Sequence, residues 1–221
     1  MGFGITIRVQ GPYALFTRPE MKVERVSYDV ITPSAARGII EAVYWKPAIR
    51  WVIDKIHVLN EIKYTNIRRN EVSEKASTQI AKRIMNGAND PFYLSANDNR
   101  QQRASMVLKD VDYCIEAHFE IVQENAGPED TVEKHYNIVL RRLKKGQYFN
   151  PPCLGTREFG ATVELVEDTR TIPPSSLTGS KDLGWMLYDL DFSDPEDIRP
   201  RFFKAEMING VIDLTTVGLV G

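Results

Sequence analysis

Ile5-Thr6-Ile7-Arg8-Val9 alternates apolar and polar residues with a period of two and ends at Gly11-Pro12, so the chain opens with a strand. The period changes after Pro33, where Ala36, Ile39, Ile40 and Val43 fall at helical spacing. Thr32 is placed to cap this helix, Pro33 suits its first turn and Pro47 ends it. Trp51 to Leu59 and Ile62 to Arg68 read as two strands joined by a short turn at Asn60-Glu61. Val72 to Met85 reads as a helix, and the Asn-, Asp-, Arg- and Gln-rich stretch 88–104 as an irregular connection. Val107-Leu108 and then Val111 to Val122 form a long β segment, with Tyr113, Ile115, Ala117, Phe119 and Ile121 on one face and Cys114, Glu116, His118 and Glu120 on the other. Thr131 to Lys145 is helical, with Val132, Tyr136, Val139 and Leu143 on its apolar side. A strand over Ala161 to Val166, a Pro/Ser/Thr-rich link over Thr171 to Ser180 and short strands at Leu183–Leu190, Phe202–Ile208 and Val211–Thr215 complete the pattern. Asn209-Gly210 joins the last two with the residues of a type I′ hairpin.

This order predicts an α+β protein. Strand, helix, strand, strand, helix, strand is the split β-α-β-β-α-β arrangement of a ferredoxin-like (RRM-like) domain. We place that domain at 1–170, including the connection near 88–104, and a small antiparallel β-sheet C-terminal extension at 171–221.

Charge adds a direction. Residues 1–69 carry 11 Lys and Arg against 6 Asp and Glu, a net of +5, whereas residues 70–221 carry 17 against 24, a net of −7. A basic third beside tyrosine and tryptophan suits a polyanion. Arg18, Lys22, Arg25, Arg37, Lys46, Arg68 and Arg69 are the candidate phosphate contacts, while Tyr13, Phe16 and Trp45 are candidates either for base stacking or for the core. Cys114 and Cys153 are far apart and belong to no CxxC pair, and His57, His118 and His135 lack the spacing of a helical zinc site. No stretch approaches eighteen consecutive apolar residues, so the sequence predicts no membrane partner, and with these cysteines and histidines it predicts no metal, no cofactor and a reducing, cytoplasmic setting.

The strings FTRPEMKVERVSYDVITPSAARGIIEAVYWKPAIRW, KIHVLNEIKYTNIRRNEV and CLGTREFG resemble the Cas five family of CRISPR-associated proteins, in its subtype I-C (Dvulg) branch. The likeness is dense over residues 8–72, looser over 107–166 and thin beyond. It implies a ferredoxin-like body with a β-sheet extension. It also implies metal-independent cleavage of precursor CRISPR RNA within its repeat hairpin, leaving a 2′,3′-cyclic phosphate and a 5′-hydroxyl. The product's 5′ handle would stay bound in a type I-C surveillance complex with other subunits. The branch works with a tyrosine near the end of the first helix and a lysine and histidine in a later β segment. Tyr44 takes the tyrosine position, and His118 is the expected histidine. Ala117 and Phe119 flank His118, so the lysine must come from elsewhere: Lys109, Lys22 or Lys46. Arg157, within CLGTREFG, is expected at the RNA, with a plain β-turn as the alternative reading of that segment. Two rival readings are a non-catalytic subunit that holds the handle and a metal-dependent DNA nuclease.

Overall fold

The computed structural model describes residues 3–21, 23–194 and 196–221. Their elements run β1 (Gly4–Ala14), β2 (Arg25–Val26), α1 (Pro33–Val43), β3 (Ile49–Val58), β4 (Lys63–Val72), α2 (Thr78–Met85), β5 (Arg100–Ile121), α3 (Val132–Lys144), β6 (Thr162–Leu165), β7 (Ser180–Asp191), β8 (Arg199–Ile208) and β9 (Val211–Asp213). The strands form one sheet in the order β6-β1-β5-β3-β9-β8-β7, with β2 and β4 also paired to β5. The result is an α+β fold built on a large, mostly antiparallel sheet with few helices.

β5 organises it. Its odd-numbered residues Tyr113, Ile115, Ala117 and Phe119 are buried, as the alternation predicts. They face Ile39, Ile40 and Val43 of α1 and Val139 and Leu143 of α3 in one apolar cluster, joined by Ile5, Ile7 and Val9 of β1 and Trp51, Ile53 and Ile56 of β3. α1 begins as its sequence dictates: Thr32 Oγ1 accepts from Ala35 N–H at 3.2 Å, and Pro33 occupies the first turn. The helix packs on β3 and on β7, so the sheet curls around it, and Arg37 reaches across to Asp189 at 2.8 Å.

Several elements differ from the sequence reading. β1 does not stop at Gly11-Pro12 but continues to Ala14, because Pro12 lies beside Asp110, where β5 kinks at φ 53° and no N–H is required. Residues 51–68 do not form a hairpin. β3 pairs with Val58↔Tyr113 to Ile49↔Ile121, and β4 with Lys63↔Lys109 to Val72↔Arg100, so both run antiparallel to β5, end to end along one edge. Asn60-Glu61 lacks the glycine of a tight reversing turn, and Asn60 Nδ2 donates to the Asp110 carbonyl at 2.9 Å, pinning the break to the kink. The helix expected over 72–85 is confined to Thr78–Met85, after Ser77 caps it, and the irregular stretch ends at Asn99 because Arg100 already begins β5. Downstream, β9 pairs with β3 and carries the C-terminal strands into the same sheet. The Asn209-Gly210 turn has both φ values positive, at 49° and 77°, as type I′ requires.

The CLGTREFG segment folds back on the loop after β1: Leu15 N–H donates to the Leu154 carbonyl at 3.0 Å. Gly155 sits at φ 88°, and a β-carbon there would lie 2.0 Å from the Leu15 carbonyl oxygen. Gly155→Ala is therefore expected to cost about 2–4 kcal/mol of stability, combining left-handed strain with overpacking. Urea melts check this, and an unchanged midpoint would contradict it.

Candidate functional site

Tyr44 leaves the helix that delivers it. It is the C-cap of α1, with extended backbone (φ −154°, ψ 122°), and its N–H still donates to the Ile40 carbonyl at 2.9 Å. That turn directs the side chain inward, away from the polar line of Arg37 and Glu41 on which helical spacing would place it. Trp51 Nε1–H donates to the Tyr44 carbonyl at 2.9 Å, and the Arg142 guanidinium lies 5.2 Å from the ring centroid. Tyr44 is 2% exposed. Its hydroxyl meets His135 Nδ1 at 2.7 Å.

His135 stands in the first turn of α3, which Thr131 caps by accepting from Lys134 N–H at 3.2 Å. It is 1% exposed, with its ring edge-on to Phe119 at 6.1 Å between centroids. Its other nitrogen, Nε2, is 3.4 Å from Asp130 Oδ1, and Lys134 Nζ is 3.6 Å from that same oxygen. Burial pushes the His135 pKa down, Asp130 pulls it up and Lys134 lowers it further, for a net decrease that leaves the ring neutral near pH 7. Nε2 is buried and makes no hydrogen bond among the described residues, so Asp130 acts on the ring as a nearby charge rather than as a hydrogen-bonded partner. Asp130 stays ionised because its pKa is lowered, first by the backbone N–H of Gly127, which it accepts at 2.9 Å. Burial raises the Tyr44 pKa, which keeps that hydroxyl protonated. Tyr44 and His135 are thus hydrogen-bonded, with the Asp130 carboxylate and the Lys134 ammonium close to the outer edge of the imidazole.

The structure does not bring Tyr44, His118 and Lys109 together. His118 lies on the opposite face of the sheet from Phe119 and hence from Tyr44. An extra residue between Ile53 and Lys55 bulges β3 and turns Asp54 onto that face, where both carboxylate oxygens lie 2.9 Å from His118 Nδ1. This pair is accessible, with side chains 33% and 28% exposed. Its neighbours are a ladder of compensated charge: Arg8 with Asp112 at 2.7 Å, His57 with Glu116 at 2.6 Å and Arg50 with Glu120 at 2.6 Å. Lys109 is nine residues from His118 along the same strand, roughly 30 Å at the usual rise, and lies 3.7 Å from Asp110.

The phosphate-contact candidates divide in two. Arg18 pairs with Asp29 at 3.3 Å and lies over Tyr28, Arg25 meets Glu71 at 3.5 Å, Arg37 holds Glu41 and Asp189, and Arg69 pairs with Glu158. These cations are engaged within the fold. Lys46, Arg68 and Arg157 are exposed and form no ion pair among the described residues. The Arg69–Glu158 pair holds the loop carrying Arg157 against β4, where Arg68 also lies. Lys22 falls outside the described residues. Of the stacking candidates, Phe16 is core, Tyr13 packs against Phe159 at 5.9 Å and Trp45 is exposed. No group of three or more His, Cys, Asp or Glu side chains stands ready to hold a metal among the described residues, and none of their helices is long and apolar enough to cross a membrane.

The sequence does not single out His135, which the structure brings to Tyr44. The available signal was its i, i+4, i+8 spacing with Val139 and Leu143, together with the Lys134-His135 dipeptide, which supplies the adjoining lysine that His118 lacks. Because the folded-state pKa of His135 is depressed, its contribution to stability is fully present above about pH 6.5 and is lost as pH falls through the folded value. His135→Gln should be destabilised by about 1–3 kcal/mol at pH 7.5, and urea melts should show its stability converging with that of the unmodified protein as the pH is lowered to about 5. Parallel stability profiles would contradict the assignment.

Residues 4–215 match the family described as CRISPR-associated protein (Cas_Cas5). A relative from Mannheimia succiniciproducens, named CRISPR pre-crRNA endoribonuclease Cas5d, is 50% identical over 214 residues, covering 95% of this chain and 94% of its own. A solved structure described as a CRISPR-associated protein superposes with a TM-score of 0.69 at 27% identity, covering 96% of this chain and 92% of the other. A chain of a CRISPR RNA-guided surveillance complex shares the fold at a TM-score of 0.51 and 12% identity, covering 98% and 89%. A match over nearly the whole sheet, reinforced by half-identity to a full-length relative, means that the chain belongs to the Cas5 family of CRISPR-associated proteins.

Proposed function

We propose that this protein is an endoribonuclease that cuts precursor CRISPR RNA within its repeat, by attack of a 2′-hydroxyl on the adjacent phosphate without a metal ion. The observation that carries the proposal is the 2.7 Å contact between Tyr44 and His135, with Lys134 beside it. Such a reaction needs a proton removed from the 2′-hydroxyl, charge stabilised on the phosphate and a proton delivered to the departing 5′-oxygen. Tyr44 and His135 handle the protons, and Lys134 stabilises the phosphate. Phosphate at Lys134 competes with Asp130 for the ammonium, which loosens the carboxylate covering His135 and opens the buried pair to substrate. The name of the Mannheimia relative supports the same activity.

The remaining body serves this chemistry. The order β6-β1-β5-β3, with α1 and α3 as the crossovers, supports a ferredoxin-like reading of residues 1–170, with 171–221 as the β-rich extension. Lys46, Arg68 and Arg157 are the RNA-backbone contacts in this account, and the cut RNA's 5′ handle stays bound within a type I-C surveillance complex. A second catalytic reading assigns the proton transfers to His118, because the His118–Asp54 pair is open to solvent while Tyr44 and His135 are not. The carboxylates that crowd its face weigh against phosphate there.

Incubation of the purified protein with its own repeat RNA in EDTA tests the reading. One cut is expected, ending in a 2′,3′-cyclic phosphate and a 5′-hydroxyl. His135→Ala and Lys134→Ala should each slow single-turnover cleavage by about 100-fold or more, with His118→Ala close to the unmodified rate. Loss of cleavage in His118→Ala alone would move the chemistry to the other face of the sheet. Tight binding without any cut would make the protein a handle-holding subunit.

A further inference from the structure

Three aromatic side chains are exposed where α1 and α3 end: Trp45 at 52%, Tyr148 at 55% and Phe149 at 78%. The backbone brings these two segments together. Phe149 and Asn150 N–H groups both donate to the Ala42 carbonyl, at 2.8 and 3.1 Å, and Arg142 donates to the Val43 carbonyl at 2.6 Å. The chain leaving α3 is therefore bonded to the last turn of α1, next to Tyr44 and Trp45. Aromatics left more than half exposed on a hydrogen-bonded backbone present flat apolar faces to solvent outside the core.

Their electrostatic setting identifies what they meet. From Lys134 to Arg157 the sequence contains six Lys and Arg residues and no Asp or Glu. Lys144 is taken up by Glu167 at 2.8 Å, whereas Lys46, Arg141 and Lys145 are exposed and form no ion pair among the described residues. Protein interfaces are depleted in lysine around their aromatic anchors, while single-stranded RNA is held by aromatic faces interleaved with cations. We propose that Trp45, Tyr148 and Phe149 form a stacking platform for unpaired bases of single-stranded RNA, with Lys46, Arg141 and Lys145 on the neighbouring phosphates. This inference rests on the endoribonuclease reading and sharpens it: the platform adjoins Tyr44, so the nucleotides next to the cut are unpaired when bound.

Equilibrium binding of a short single-stranded RNA and of a blunt RNA duplex of equal length separates the cases. The double variant Trp45→Ala, Phe149→Ala should bind the single strand about tenfold or more weakly and the duplex unchanged, and Trp45→Tyr should restore most of the loss contributed by Trp45. The dependence on salt should not change, because no phosphate contact is removed. Thermal melts of the double variant should match the unmodified protein, since both side chains lie at the surface. Equal weakening on both RNAs, or unchanged single-strand affinity, overturns the platform. Unchanged RNA affinity accompanied by failure to assemble with other complex subunits overturns it in favour of a protein-facing patch. Cleavage by the unmodified protein in EDTA tests the enzyme reading separately, so either idea can fail while the other stands.

Discussion

Backbone pairing along β5 is the constraint on which the rest of this molecule depends. One 22-residue strand pairs with β1 on one side and with β3 and β4, end to end, on the other, and it also takes β2. Its pleat separates two chemistries. Buried Tyr113, Ile115, Ala117 and Phe119 face the helices, and Asp112, Glu116, His118 and Glu120 face a ladder of side-chain ion pairs. A slip of one residue would exchange these faces, so the register that builds the core also decides which histidine can meet Tyr44.

The helical side of the sheet is where Tyr44 and His135 meet, because two chain ends converge there. α1 ends at Tyr44, whose extended backbone turns the ring inward, and α3 begins at Thr131, whose cap sets His135 in the first turn. Arg142 and the backbone after α3 are hydrogen-bonded to the end of α1, so the Tyr44–His135 contact is supported by bonds on both sides. A buried, neutral imidazole hydrogen-bonded to a tyrosine hydroxyl and close to a carboxylate is a group able to exchange a proton near neutral pH. Lys134 and the carboxylate-free stretch from it to Arg157 surround that pair with positive charge, which suits the proposed RNA substrate.

Much of this was legible in the sequence where the deciding forces are local. Thr32 and Pro33 announce the start of α1, the alternation through 111–121 gives both faces of β5, and Asn209-Gly210 gives its turn. Tyr44 is picked out by the strings around it, but its inward turn and its histidine partner are not. What escaped depends on residues distant in the chain. β3 and β4 look like a hairpin until β5 supplies a common partner for both. Arg18, Arg25, Arg37 and Arg69 look like free cations until Asp29, Glu71, Asp189 and Glu158 arrive from elsewhere in the fold. His118 was preferred because it sits in a strand, whereas His135 occupies an apolar helix position where histidine reads as an interruption, and only the packing of α3 beneath α1 discloses its partner.

The central claim is that Tyr44 and His135 act as one unit on RNA. A double-mutant cycle on the single-turnover cleavage of the repeat RNA tests it most directly, using Tyr44→Phe, His135→Ala and the combined variant. If the two side chains share one proton path, the combined variant should cleave no more slowly than the slower single variant. Rate losses that multiply would contradict the account, because they would mean that the hydroxyl and the imidazole contribute independently.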